Sequence, residues 1–183
     1  MKKPKKEEKP LSGAQDAYEW LQILIVALVT IILVFTFVGR ITPVVGESML
    51  PTLHEGDVML IRDIGYTDPQ PGDIVVLTKE FDAARGPIVK RIIAVEGQTV
   101  DIDYQTGTVY VDGEALDEPY LNEPMEEPWY EDLTSVTVPE GSVFVMGDNR
   151  NHSNDSRDVT LGTVDTRYLL GKAEFICFPF SDF

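Results

Sequence analysis

One serine and one lysine lie in sequence surroundings that suit nucleophilic catalysis. Ser48 stands between Gly46, which frees the backbone, and Pro51, which stiffens it, so the turn can present the serine hydroxyl in a fixed orientation. Lys90 lies within a long apolar run. A desolvated lysine titrates well below its ordinary pKa of about 10.4, and the neutral amine then accepts a proton from a serine. The ordinary alternative is that Ser48 is a turn residue, as most serines between Gly and Pro are.

The alternation of side chains along a strand bears on whether Lys90 is buried. The run Ile88–Val95 predicts a strand in which Lys90 and Arg91 point to opposite faces. Both faces are otherwise apolar, so one of the two basic side chains enters an apolar environment or lies at its edge. Lysine loses its proton in such surroundings far more readily than arginine does. The alternative is that both side chains reach solvent at a sheet edge, and the strand pattern alone favours this alternative.

A third candidate segment is the polar run from Gly147 to Asp158, which directly follows the apolar run Ser142–Met146. The polar run contains both carboxylates and guanidinium groups. Pairing of Asp155 with Arg157 or Arg150 would make this loop rigid. The alternative is a solvated loop without a further role.

The chain after Arg40 favours β structure. Short β-branched runs are separated by turns that contain Gly or Pro, and no long helical period appears. A hairpin is expected around residues 105–107, and the acidic, Pro-interrupted residues 114–132 predict an extended surface segment. Together these features predict a mostly β fold, with an antiparallel, Greek-key-like domain over residues 41–183 on one membrane helix. The predicted strands are 57–62, 73–78, 88–95, 99–103, 108–111 and 142–146.

An apolar segment precedes this domain. Residues 21–38 carry no charge, and a helix of that length spans about 27 Å, close to the hydrocarbon thickness of roughly 30 Å. A cleavable signal would have a shorter apolar core, and a buried core helix that is apolar all round does not suit a small domain. The segment therefore predicts an uncleaved transmembrane anchor. The first nine residues contain five lysines, so we expect residues 1–20 to form a basic tail in the cytoplasm and the β domain to lie outside the cell membrane.

The composition narrows the classes of partner. The 183 residues carry a net charge of −16, and from residue 41 onward 27 acidic residues face 9 basic ones. This balance argues against nucleic acid as the main partner. The single cysteine, Cys177, excludes an intrachain disulfide and a zinc cluster built on cysteines, and the two histidines show no metal-binding motif. We therefore expect neither a metal nor a cofactor.

Four short segments together resemble the sequence boxes of type I signal peptidases, the membrane-bound serine proteases that remove signal peptides. They occur in the family's order and spacing between Gly46 and Arg157, behind one apolar segment. The short chain and its single anchor resemble the Gram-positive-type members. The four segments are Ser48–Leu53, Gly72–Val75, Val89–Ile92 and Gly147–Arg150, the last followed by Ser153, Asp155, Ser156 and Arg157.

The resemblance implies a serine–lysine dyad. Ser48 would be the nucleophile and Lys90 its general base, while Ser153 would hydrogen-bond the Lys90 amine and orient it. The backbone N–H of Ser48 would be one donor of the oxyanion hole. Some members carry a serine two positions before the nucleophile as a second donor. Here that position is Gly46, so the second donor stays open.

The resemblance also implies structural roles for four residues of the last box. Asp155 and Arg157 would form a pair that holds this loop beside Lys90. Asp148 and Asn149 would help to shape the same loop.

The substrates implied by the resemblance are secretory preproteins whose cleavage sites carry small, Ala-x-Ala-like residues. An extended peptide would add as a strand beside an exposed sheet edge, and shallow apolar pockets would select small side chains. The lipid bilayer and a protein-export translocon are the further candidate partners. Ser48 follows the apolar segment closely, so the anchor would hold enzyme and substrate on one membrane and raise their effective concentration.

Two other classes of protein remain as alternatives. A membrane-anchored, sortase-like cysteine transpeptidase would use Cys177, His152 and an arginine such as Arg157. Cys177 lies in an apolar run, however, which favours a core thiol. A non-catalytic, anchored β domain that binds a partner is the second alternative.

Overall fold

The computed structural model describes residues 13–37, 39–63, 65–79, 86–126 and 133–179. It divides into two units, Met1–Val38 and Gly39–Phe183. The expected disorder of residues 1–12 lies outside the described residues.

The first unit contains one helix, α1 (Gly13–Phe37). It begins eight positions before the uncharged residues 21–38 and ends one position before their end. Within the described residues, α1 is the one helix that is long and apolar enough to cross a membrane, with a mean hydropathy of 1.8 over Gln15–Leu33. The apolar side chains of Gln15–Leu33 are exposed all round, which suits a lipid environment and not a water-soluble surface helix. The alternative of a buried core helix is therefore not supported.

Strands make up most of the regular secondary structure in the described part of the second unit, as the sequence predicted. Its described part also contains two short 3₁₀ turns, at Arg150–His152 and Thr166–Tyr168. The strands are β1 (Arg40–Pro43), β2 (Val58–Arg62), β3 (Ile74–Leu77), β4 (Ile88–Val95), β5 (Thr99–Asp103), β6 (Thr108–Val111), β7 (Glu114–Ala115), β8 (Ser135–Thr137), β9 (Ser142–Met146), β10 (Val164–Asp165) and β11 (Leu169–Phe178).

The strands form two sheets in which all neighbouring pairs are antiparallel. The larger sheet has the order β1-β2-β11-β3-β4-β9-β10, and the smaller one has the order β7-β6-β5-β8. The last long strand, β11, inserts between β2 and β3, so the order is not sequential. This arrangement confirms the predicted mostly β, antiparallel fold class.

Four of the predicted strands, β4, β5, β6 and β9, have the expected bounds. β2 and β3 begin one residue later than expected, and β3 also ends one residue earlier. The predicted hairpin joins β5 to β6, with Asp103 opposite Thr108. The sequence analysis missed β1, β7, β8, β10 and β11. Register shifts interrupt β11 in its pairing with both neighbours, and a shifted register breaks the period of two on which a strand prediction relies.

The acidic segment 114–132 differs from the expected surface excursion. Its described part begins with β7 and then packs against the loop after β9, where Glu118 and Met125 have buried side chains. The prediction is therefore wrong at these two residues. Residues 127–132 lie outside the described part of the chain.

Candidate active site

Ser48 lies in the turn that joins β1 to β2. Backbone hydrogen bonds and two buried side chains hold this turn in place. The backbone N–H of Leu50 donates to the Glu47 carbonyl at 3.1 Å, and that of Leu53 donates to the Met49 carbonyl at 2.9 Å. The Met49 and Leu53 side chains are buried among apolar residues of β2, β3 and β11. Ser48 is therefore held by its buried neighbours while its own side chain stays half-buried.

Gly46 precedes this turn with a φ of +89°, a left-handed conformation that favours glycine. A residue with a side chain at this position would be strained. The absence of a serine here is thus matched by a backbone geometry that suits glycine.

Lys90 lies on β4, which is an interior strand between β3 and β9. Its side chain is 3% exposed, and its Nζ donates a 2.6 Å hydrogen bond to the Ser48 Oγ. The alternative in which both basic side chains reach solvent at a sheet edge is therefore wrong. Since two side chains 42 positions apart meet in this way, the turn and the strand form one site.

Burial lowers the pKa of Lys90 from 10.5 to about 8. The negative charges of Asp155 and Asp148 raise the pKa and limit its fall, whereas the positive charge of Arg157 lowers it further. With a pKa near 8, roughly one amine in ten is neutral at pH 7 and about half are neutral at pH 8. A population of neutral Lys90, able to accept a proton, is therefore present near neutral pH.

Asp155 is a fully buried carboxylate that organises the loop after β9. It accepts hydrogen bonds from the Gly147 N–H at 2.9 Å and from the Arg157 side chain at 2.8 and 2.9 Å. Burial alone would raise the pKa of Asp155, but the charge and hydrogen bonds of Arg157 outweigh this effect and lower it. Asp155 therefore carries a negative charge close enough to influence Lys90.

The Ser153 hydroxyl donates to Asp155 at 2.7 Å. This bond differs from the expected one to the Lys90 amine. Gly147 nevertheless brings Ser153 close to the serine turn, because a Cβ atom added at Gly147 would overlap both the Ser153 Oγ and the Ser48 carbonyl oxygen. The loop, the serine turn and Ser153 thus meet at Gly147.

Asp148 is a buried carboxylate that joins the turn of Ser48 to β4. It accepts two hydrogen bonds from Arg91, at 2.8 Å from Nε and 2.6 Å from Nη2, and one of 2.5 Å from the Thr52 hydroxyl. Burial would lower the pKa of Arg91, but its bonds to Asp148 raise it, so Arg91 stays charged. Sequence reasoning had given no role to Arg91 or Thr52, although both lie inside the boxes that carried the resemblance.

Asn149 forms two hydrogen bonds to the turn that contains Ser48. Its backbone N–H donates to the Ser48 carbonyl at 3.0 Å, and its side-chain amide donates to the Glu47 carbonyl at 3.0 Å. Because both bonds go to backbone atoms, they fix the path of the chain on either side of the Ser48 Cα.

A pocket of about 260 Å³ opens beside Ser48 and Lys90. Its walls are mainly apolar, so it can receive apolar side chains. The apolar lining comes from Pro43, Val44, Val45, Met49, Val76, Pro87, Ile88 and Val89.

Two residues of the transpeptidase alternative, Cys177 and Arg157, have surroundings that do not suit a cysteine active site. Cys177 is a half-buried residue of β11 and not the core thiol that the sequence predicted. The Arg157 side chain is committed to Asp155 and to the carbonyls of Arg150 and Ser153. Arg157 is thus a structural group of the loop.

Comparison with known proteins gives one consistent family. The family model described as "Signal peptidase, peptidase S26" matches residues 17–178. A probable signal peptidase I-1 of Synechocystis sp. is 41% identical over 172 residues, which cover 89% of this chain and 83% of that protein. Signal peptidase I of Bacillus licheniformis is 36% identical over 184 residues, which cover 96% of each chain. Signal peptidase IB of Staphylococcus aureus is 34% identical over 186 residues, which cover 92% of this chain and 93% of that one.

A solved structure was found as well. The crystal structure of a signal peptidase I from Enterococcus faecalis V583 is 33% identical, covers 58% of this chain and 97% of that chain, and has a TM-score of 0.46. The family and its relatives confirm the resemblance, do not favour the transpeptidase alternative, and together with the apolar helix α1 indicate membrane anchoring. The chain belongs to the signal peptidases of family S26, and it is a membrane-anchored serine peptidase that cleaves signal peptides from exported preproteins.

Proposed function

We propose that Ser48 and Lys90 carry out the peptidase reaction as a catalytic dyad. The observation that carries this proposal is the 2.6 Å hydrogen bond from the Lys90 Nζ to the Ser48 Oγ. In the neutral form of Lys90, the nitrogen lone pair takes the place of one N–H and can accept the serine proton. Burial of Lys90 supports this role because it lowers the pKa of the amine to about 8.

The acylation step transfers the peptide to the serine. The Ser48 Oγ attacks the carbonyl carbon of the scissile bond while its proton passes to Lys90. The resulting ammonium then donates this proton to the leaving amine, so the C–N bond breaks and an acyl-enzyme ester forms. The backbone N–H of Ser48 is proposed as one donor to the developing oxyanion, and the second donor stays open.

The deacylation step uses the same base. Lys90, neutral again after it has given its proton to the leaving amine, accepts a proton from water as that water attacks the ester carbonyl. Collapse of the second tetrahedral intermediate returns the proton to the Ser48 oxygen and frees the signal peptide. Over the two steps, one proton passes from Ser48 through Lys90 to the leaving amine, and a proton from water passes through Lys90 back to the Ser48 oxygen.

The remaining loop residues are proposed to hold the dyad in place. Asp155 and Arg157 form a buried pair beside the dyad, and Asp148 and Asn149 tie the loop to the serine turn. For Ser153, the role of orienting the Lys90 amine stays a prediction, which its bond to Asp155 supports only indirectly.

Ala-x-Ala-like cleavage sites are the proposed substrate motif. The apolar pocket of about 260 Å³ beside Ser48 and Lys90 supports this motif, because apolar walls favour apolar side chains such as alanine over charged ones. An extended substrate strand can satisfy its backbone hydrogen bonds by pairing with neighbouring backbone, while its alternate side chains enter the pocket.

The proposed location is the cell membrane, with residues 1–20 in the cytoplasm, residues 21–38 as the anchor and the catalytic domain of residues 41–183 outside. The lysine-rich start of the chain supports this orientation. Anchoring in the bilayer would also keep the enzyme on the surface that holds the apolar part of its substrate, beside a protein-export translocon.

The test is cleavage of a preprotein with an Ala-x-Ala site by the full-length protein in lipid vesicles. We expect Ser48→Ala and Lys90→Ala each to abolish cleavage while the β-rich circular dichroism spectrum is retained. Ser135→Ala, an exposed serine on β8, is the matched control and should keep wild-type activity. Cleavage that survives in either dyad variant, or is lost in Cys177→Ser, would overturn the assignment.

A further inference from the structure

One short segment contacts two arginines that hold the loop after β9, Arg150 by its bond to the Gly147 carbonyl and Arg91 by its bonds to Asp148. Glu118 accepts hydrogen bonds from the Arg150 Nη1 at 3.0 Å and from its Nη2 at 2.5 Å. Two residues later, the Tyr120 ring lies 4.0 Å from the Arg91 guanidinium carbon. The Tyr120 hydroxyl donates to Glu118 at 2.8 Å, so the carboxylate and the ring act as one unit on the two guanidinium groups.

We propose that Glu118 and Tyr120 are positioning residues for the peptidase reaction. They act through Arg150 and Arg91, which connect them to the loop after β9. The inference rests on the proposed dyad and extends it to a segment whose sequence predicted only a solvated excursion. Neither residue lines the pocket beside Ser48.

The first connection runs through Arg150. Its Nε donates to the Gly147 carbonyl at 3.1 Å, and its own carbonyl accepts a 2.7 Å bond from Arg157, the partner of Asp155. The Arg150 side chain is 0% exposed and that of Glu118 is 7% exposed. A buried guanidinium that loses its carboxylate partner is strongly unfavourable, so Glu118 determines where Arg150 can lie.

The second connection runs through Arg91. The Tyr120 ring offers its negative face to the guanidinium, which in turn holds Asp148 with two hydrogen bonds. Asp148 also accepts a hydrogen bond from the hydroxyl of Thr52, which lies four positions after Ser48. A change at the ring would therefore reach the serine turn through one carboxylate.

Gly147 leaves little room for compensation. A Cβ atom there would already overlap the Ser48 carbonyl and the Ser153 hydroxyl, so the loop packs directly on the dyad segment. A displacement of the loop by a fraction of an ångström would thus move the Ser48 backbone. Misplacing a reacting group by about 1 Å can cost on the order of 10²-fold in rate.

The experiment compares four variants of the full-length protein in vesicles of phosphatidylethanolamine and phosphatidylglycerol, with a preprotein that carries an Ala-x-Ala site. We expect Glu118→Gln and Tyr120→Leu to lower kcat about 10- to 100-fold and to change KM less than about threefold. Tyr120→Phe keeps the ring over Arg91 and should retain more than about a third of the wild-type kcat. Glu114→Gln removes the same charge at an exposed position of β7 and should behave as wild type.

The split between kcat and KM separates positioning from stability alone. If the two residues only stabilised the fold, both variants would unfold at lower temperature but the folded fraction would keep the wild-type kcat, and this result would overturn the proposal. Should Glu118→Gln fail to fold, the kcat of Tyr120→Leu decides. Ser48→Ala is measured in parallel: activity retained there refutes the dyad itself, whereas its loss beside a wild-type kcat in Glu118→Gln and Tyr120→Leu refutes only the positioning role.

Discussion

The Thr52 hydroxyl donates a 2.5 Å hydrogen bond to Asp148, which lies 96 positions later in the chain. Asp148 also holds Arg91, the neighbour of Lys90 on β4, while Asn149 holds the Ser48 carbonyl. The loop after β9 is thus hydrogen-bonded both to the strand that contains Lys90 and to the turn that contains Ser48. We therefore expect the distance between the Lys90 Nζ and the Ser48 Oγ to depend on this loop as well.

Removal of the Thr52 hydroxyl should weaken this hydrogen-bonded connection. Thr52→Val keeps the shape of the side chain but leaves Asp148 with one donor fewer, and a hydrogen bond to a charged group contributes about 1.5–3 kcal/mol. We expect the free energy of unfolding to fall by about that amount, measured by urea titration, and kcat to fall with it. Thr134→Val, at an exposed position, is the control. Unchanged stability and kcat in Thr52→Val would show that the loop is held in another way.

Gly147→Ala tests the close approach of the loop to the dyad. The φ of Gly147 is outside the left-handed region, so alanine causes no backbone strain there, and its effect is purely steric. The added methyl group must push away the Ser48 carbonyl or the Ser153 hydroxyl. We expect kcat to fall about 100-fold in a preprotein cleavage assay.

Gly13→Ala is the matched control for this steric prediction. A Cβ atom at Gly13 meets nothing within 4 Å, so this variant should keep wild-type activity. A wild-type kcat in Gly147→Ala would mean that the loop can move away without displacing the dyad.

Ser153→Ala tests the predicted orienting role of this hydroxyl. The substitution removes one hydrogen-bond donor to Asp155. The negative charge of Asp155 raises the pKa of Lys90, and with one donor fewer we expect this effect to grow, so that less of Lys90 is neutral. We expect kcat to fall about 10-fold or more while KM stays the same, since Ser153 does not line the pocket. Steady-state kinetics on a preprotein measure both constants. Equal kcat values for Ser153→Ala and wild type would leave Ser153 without a role in catalysis.

The buried Lys90 should reduce the stability of the folded protein near neutral pH. Folding lowers the pKa of Lys90 from 10.5 to about 8, so the unfolded chain binds more protons between these values. The penalty is complete below about pH 8 and disappears above about pH 10.5. The penalty amounts to roughly 3 kcal/mol, because each unit by which the pKa is lowered costs about 1.4 kcal/mol. Lys90→Met should therefore be inactive yet more stable than wild type at pH 7.

The predicted gain in stability of Lys90→Met should depend on pH, and this dependence is the control. The difference in unfolding free energy between Lys90→Met and wild type should shrink as the pH rises from about 8 towards 10.5. Urea titrations at three pH values measure it. A Lys90→Met protein that is less stable than wild type at pH 7 would contradict a lysine buried at a cost.

Sequence patterns predicted the strands that follow simple rules. β4, β5, β6 and β9 are β-branched runs with a turn at one or both ends, and local propensity is sufficient to define them. The register shifts of β11 hide its length, although it is the longest strand among the described residues.

The site could be predicted only where local chemistry or the family resemblance pointed to it. The burial of Lys90 depends on β4 having β3 and β9 on either side, and this pairing is a long-range property that strand alternation does not reveal. The pairing of Glu118 with Arg150 joins charges 32 positions apart, in a segment whose composition resembles a solvated loop. Such contacts arise from tertiary packing, on which composition gives no information.

The most direct measurement is the pH dependence of kcat/KM for a preprotein-derived substrate that has no titrating group between about pH 6 and 11. This profile reports the pKa of the essential base in the free enzyme. A neutral amine beside Ser48, kept so by burial, predicts that activity rises with an apparent pKa near 8. A rise centred near 10.5, the ordinary value for a hydrated lysine, would contradict it.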